Sequence, residues 1–297
     1  MIKKMKNTFQ AREMLREVII YLLWLALGMA MSIAVLFPAA FLIFHSMRVS
    51  PEAAALVFWP ALILITYLRL RKFGGAFSDI GLRFHARALF ATIPGTFIGA
   101  LFICTVLGIS GATKAILIKP QVVSYSLIFT LLIAFIATFI QSGTEEIVFR
   151  GYLLKVLAGN SRTVGIVITA MLFSLLHFSH GVNLIGWVNI FLFGVFAAQL
   201  FYLTENLWLP IGFHFGWNLF QERIFGFPVY GYDNSGIFHS TPLSQAIISG
   251  GTYGPEGSII ISVALTIAIY SLWRMVKVQW KPTEPSMKAP DIDMARK

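Results

Sequence analysis

Charge is scarce in this chain. Asp, Glu, Lys and Arg make up only 12% of the residues, against 57% hydrophobic ones, whereas a soluble domain carries about 25% charged residues. That shortage excludes an ordinary water-soluble protein. Cysteine is all but missing: Cys104 stands alone inside an apolar run, so neither a disulfide framework nor a thiolate metal cluster can be built. It reads as a small core residue. There is no internal repeat of the kind found in two-halved transporters, and no matched pair of broken helices. No His-Glu-x-x-His sequence occurs, so the helix-borne zinc-protease signature is absent. Acidic residues number 13 against 23 basic ones, a net charge of +10. Most of the basic residues flank apolar runs, where they act as topology signals, so nucleic acid is not an expected partner.

What is abundant is apolar sequence. Runs at residues 18–44, 53–68, 88–109, 123–141, 163–178, 184–203, 207–225 and 258–275 predict an all-α, polytopic transmembrane helical bundle of about eight spans. The first run is too long for a signal-peptide core and lacks a small-residue cleavage site, so it is expected to be a retained span. With the N-terminus inside, the inner segments hold 19 of the basic residues, and only Arg48, Lys114, Lys119 and Arg223 fall outside or near an outer helix end. Both termini are therefore expected in the cytoplasm. Three parts follow: residues 1–122, a basic N-terminal segment and three spans; 123–275, a membrane core; and 276–297, a disordered cytoplasmic tail containing Pro282, Pro285 and Pro290. The bilayer is the evident partner, and the location expected is a cell membrane, bacterial inner or plasma membrane, crossed several times.

Ionisable side chains inside apolar spans are expensive and usually functional. Residues 140–154 read IQSGTEEIVFRGYLL. On a helix Glu146 and Arg150 share a face at i and i+4, while Glu145 sits about 100° around and looks elsewhere. One carboxylate can pair with the arginine while the other stays available for chemistry. Two further pairs follow at helical spacing, Phe173-x-x-x-His177 and His214-x-x-x-Asn218. Each has a structural explanation by itself, as an interfacial histidine or an interhelical hydrogen bond. Together, a carboxylate, two imidazoles and an amide can activate a water and hold an oxyanion. Glu145 is the candidate base, with His177 sharing the water's protons. His214 and Asn218 are the candidate oxyanion donors. His45, His85, His180 and His239 are expected to be ordinary interfacial or solvated residues, as are the loop carboxylates Asp233 and Glu256. Trp187, Trp208 and Trp217 suit interfacial belts.

These three motifs, in this order, resemble the CPBP intramembrane proteases, also called the Abi or CAAX-protease family, whose eukaryotic relatives are the type II CAAX prenyl endopeptidases. The flank TEEIVFRGYLL, the LWLPI turn before His214 and the segment GGTYGPEGS at 250–258 add to the likeness, which runs over about 130–256. The resemblance implies an intramembrane endopeptidase acting on a membrane-associated substrate, of CAAX type or a peptide precursor. It implies that residues 123–275 are the catalytic membrane core, that Glu145 and His177 activate water, and that His214 and Asn218 form the oxyanion hole. Thr204-Glu205-Asn206 departs from the family's frequent Thr-Gly-Ser. A metal-free mechanism is expected, with no cofactor; the rival is a zinc-dependent one in which Glu145, His177 and His214 hold Zn²⁺. Two other functions remain open, a non-catalytic scaffold or bacteriocin-immunity-type protein, and a proton-coupled transporter.

Overall fold

The computed structural model describes residues 2–36, 51–122, 124–158, 161–177, 183–227, 236–243 and 246–279. His45, His180, Asp233 and the tail prolines lie outside the described residues, as does the end of the expected first span. The chain is mostly helical. Helix α1 (Ile2–Met31) runs into a π turn (Ser32–Leu36), and α2 (Pro51–Lys72) contains Pro60. A single helical turn (Ala86–Leu89) leads into α3 (Thr92–Ala112). Helix α4 (Tyr125–Glu146) continues through a π turn (Ile147–Leu153) to Leu157. Then come α5 (Arg162–Leu176), α6 (Leu184–Thr204) and α7 (Trp208–Asn218), the last extended by a π turn (Leu219–Ile224). Helix α8 (Ile259–Gln279) is the last.

Four stretches are long and apolar enough to cross a bilayer: Ala11–Ala34, Ala86–Ala112, Tyr125–Leu157 and Leu184–Thr204. Arg162–Leu176 and Ile259–Met275 are shorter apolar helices. The expected second and seventh spans are helices too, α2 and α7, but they are not among these six. Leu23, Trp24, Phe97, Leu101, Phe129, Leu132, Ile267 and Tyr270 all stand exposed, an apolar surface that only lipid would solvate favourably.

Side-chain caps start three of the helices. Ser124, Ser161 and Asn183 accept from the backbone N–H groups of Leu127, Val164 and Gly186, each satisfying one donor the helix cannot. The departure at Thr204-Glu205-Asn206 makes a compact turn. Glu205 takes up the left-handed conformation at φ 49°, Asn206 Oδ1 accepts from Trp208 N, and Asn206 Nδ2 donates to the Ala88 carbonyl.

The expectation of a purely helical chain needs one correction. Ile116–Pro120 (β1) and Phe238–Pro242 (β2) form an antiparallel pair in which Ile118 faces Ser240. Two connections between apolar runs satisfy their backbone groups with each other.

One helix crossing positions the site. Helices α3 and α7 meet through Gly95, Gly99, Gly212 and Gly216. A Cβ added at Gly212 or Gly216 would fall on the carbonyl of Thr92 or Thr96, and one at Gly95 or Gly99 on that of Leu209 or Phe213. Two small-x-x-x-small faces thus bring the backbones into direct contact, the packing that drives association where lipid is as apolar as leucine. The α3–α7 crossing spans the boundary drawn at residue 122.

Candidate active site

Helix α4 carries two adjacent glutamates into the bundle and gives them different partners. Glu146 and Arg150 have side chains 0% and 1% exposed, and Arg150 Nη1 donates to Glu146 Oε1 at 2.8 Å. The arginine was expected there. A second partner was not: His214 Nδ1 lies 2.9 Å from the same Oε1. A carboxylate so paired accepts only, so Nδ1 holds the proton. Immediately after Glu146 the helix widens into the π turn, a distortion frequent at functional sites.

Glu145 points elsewhere, as its 100° offset predicts. Its Oε1 accepts a long contact of 3.4 Å from Gln141 Nε2, and its buried Oε2 has no hydrogen bond and stands 3.9 Å from His214 Nε2. His214 therefore lies between two carboxylates, one at each ring nitrogen.

His177 closes α5. Its Nδ1 donates to the Phe173 carbonyl at 2.7 Å, since a carbonyl can only accept. In a neutral ring the acceptor is then Nε2. The Phe173 ring lies under the Arg150 guanidinium, 4.4 Å from its centre, and 4.6 Å from the His177 ring. The two positions of the Phe-x-x-x-His motif thus serve different neighbours.

Glu145, His177, His214 and Asn218 line one cavity, together with Gln141, Asn189, Trp217, Glu222 and Glu256. It offers about 40 Å³ to water centres, room for a few waters. Glu146 and Arg150 do not line it; they stand behind His214.

Two sequence expectations are corrected here. Trp217 is no interfacial belt residue: it is 2% exposed and donates through Nε1 to Glu256 Oε1 at 3.2 Å. Glu256 is no solvated loop carboxylate. Burial pushes its carboxyl up to about 7; the Trp217 hydrogen bond and His214 pull it down, while the charges of Glu222 and Glu145 raise it further. Asn189 holds the turn that carries it, donating to the carbonyls of Glu256 at 2.7 Å and Ser258 at 2.8 Å. Asn189, one turn into α6 with no spaced partner, gave no sequence signal. The Gly-rich segment before Glu256 gave one: Gly250 and Gly254 have φ of 83° and 89°, the mark of a tight built turn.

A family model described as type II CAAX prenyl endopeptidase Rce1-like matches residues 126–220. Over that stretch the chain is similar to the Rce1-like CAAX-protease family. The likeness points to a protease, and four helices are long and apolar enough to cross a membrane. The match covers the glutamate pair, Arg150, His177, His214 and Asn218, and stops before Glu222 and Glu256. No curated protein and no solved structure matches the chain.

Among the described residues, no three His, Cys, Asp or Glu side chains are grouped to hold a metal ion. Glu145, His177 and His214 share a cavity without forming the ligand set that the zinc alternative requires.

Proposed function

We propose that the protein is an intramembrane endopeptidase that hydrolyses a peptide bond of a membrane-associated substrate, of CAAX type or a peptide precursor. Residues 123–275 form its catalytic core, leaning on α3 from the preceding segment. The chain crosses a cell membrane about eight times, with both termini in the cytoplasm. The observation that carries the reading is the meeting of Glu145, His177, His214 and Asn218, from three separate helices, on one small polar cavity.

Glu145 takes a proton from water as the oxygen attacks the scissile carbonyl, and His177 shares it through Nε2. The carbonyl oxygen becomes negative and is held by Asn218 Nδ2 and His214 Nε2. With Nδ1 committed to Glu146, Nε2 donates to that oxygen from a ring carrying a proton on each nitrogen. Arg150 offsets the second negative charge and holds Glu146 in line.

The test uses membranes containing the full chain and a prenylated CAAX peptide. Cleavage that disappears in Glu145→Ala, His177→Ala and His214→Ala, with the proteins still in the membrane, supports the assignment. Normal cleavage by these variants overturns it. Activity that survives exhaustive chelation supports metal-free chemistry, and loss restored by zinc overturns that part.

A further inference from the structure

Glu256 comes to the cavity from outside the segment that the family model matches, and the roles assigned so far leave it without a task. Three elements build it in. The turn Pro255–Gly257 carries it, Asn189 of α6 fixes the turn's backbone, and Trp217 of α7 holds Oε1. Ser262 Oγ in turn donates to Asn189 Oδ1 at 2.7 Å, so the clamp itself is oriented. The other carboxylate oxygen, Oε2, is buried without a hydrogen-bond partner. An ionised oxygen left in that state is costly, whereas a protonated one is tolerated.

The surroundings point the same way. Glu145 and Glu222 line the same small cavity, as do His177 and His214. Arg223 pairs with Glu222 at 3.2 Å, Gln141 and His214 attend Glu145, and Glu256 has one neutral indole N–H. Carboxylates crowded into so little space do not all ionise together, and the one with the poorest support keeps a proton.

Hydrolysis of an amide needs such a group. The tetrahedral intermediate can lose its amine only when the nitrogen gains a proton, because an amide anion is too basic to leave. We infer that Glu256 is the acid of this site, donating its proton to the leaving nitrogen. The C–N bond breaks, its electron pair stays on nitrogen and takes the Glu256 proton, and the carbonyl re-forms. The proton that Glu145 drew from the attacking water then returns to Glu256 through the waters of the cavity, so that amide and water give acid and amine. This role rests on the protease reading of the same cavity.

Two probes separate them: a prenylated CAAX peptide, and its analogue with a thioester in place of the scissile amide, whose thiolate departs without a proton. Glu256→Gln keeps the shape and the acceptor for Trp217 but has no proton to give. The expected result is amide cleavage reduced by at least about 100-fold, with thioester cleavage within a few-fold of wild type. Glu256→Asp, which still carries a proton, should recover part of the amide rate, and thioester turnover reports that each variant is folded. Amide cleavage at the wild-type rate in Glu256→Gln overturns the inference, as does equal loss of both probes. Glu145→Gln should lose both; if it keeps both, the protease reading fails, whatever Glu256→Gln does.

Discussion

The guanidinium of Arg150 lies 4.4 Å over the centre of the Phe173 ring, joining two motifs that are separate in the chain. The same phenylalanine offers its carbonyl to His177. Through this residue the ion pair behind the site and the imidazole at its edge are held by one support. A desolvated cation over an aromatic face is worth about 2 kcal/mol. Phe173→Leu should therefore lower stability in detergent by about that amount, and a double-mutant cycle with Arg150→Met should give a coupling of similar size. Simple additivity would mean that the ring only fills space.

The adjacent glutamates should fail in different ways. Glu145→Gln removes the proposed base while leaving the bundle intact, so proteolysis should fall by about 10² to 10⁴ at normal membrane abundance. Glu146→Gln leaves Arg150 charged and buried beside a neutral amide, a loss of about 3 to 5 kcal/mol. Less protein and a lower melting temperature should appear before any purely kinetic defect. Abundance, melting temperature and turnover, measured on both variants, separate the two roles.

Gly216→Val should uncouple the site without touching a reacting group. Its side chain would have to occupy the space of the Thr96 carbonyl, forcing α7 away from α3 and carrying His214 and Asn218 with it. A destabilisation of about 3 kcal/mol is expected, with loss of cleavage even where the helices still insert. Cleavage at the wild-type rate by Gly216→Val would show that the crossing is not what holds His214.

Stability should also depend on pH through Glu256. Its carboxyl moves from an ordinary value of 4.5 to about 7 on folding, so the folded protein holds a proton that the unfolded chain gives up. The contribution is fully present below about pH 4.5 and is lost as pH rises through about 7. Melting temperature should decline across that window in the wild type, and Glu256→Gln should flatten the decline. An unchanged slope in the variant would assign it to other groups.

Much of the site was legible because helical spacing is local. The i, i+4 pairs Glu146/Arg150 and His214/Asn218, and the offset of Glu145, follow from 3.6 residues per turn. What was not legible lies between elements. Phe173 beneath Arg150, His214 on Glu146 and the Ile118–Ser240 pairing depend on which helix faces which, and no spacing within one helix states that. The α3–α7 crossing is an intermediate case: Gly95-x-x-x-Gly99 and Gly212-x-x-x-Gly216 were available as a packing signal, but two such motifs do not say that they meet. Glu256 was misread because loop carboxylates are usually solvated, and only the Asn189 clamp reveals that this turn folds inward.

On the proposed reading, the long α4 helix sets how deep the chemistry takes place. From Tyr125 to Glu145 the helix is continuous and rises about 30 Å at 1.5 Å per residue, which equals the thickness of a hydrocarbon core. A helix that enters the bilayer at Tyr125 surfaces at Glu145. On that reading water arrives from the near boundary alone and the apolar length of the same helix seals the far one, so the proposed hydrolysis at the edge of the membrane needs no aqueous channel through it.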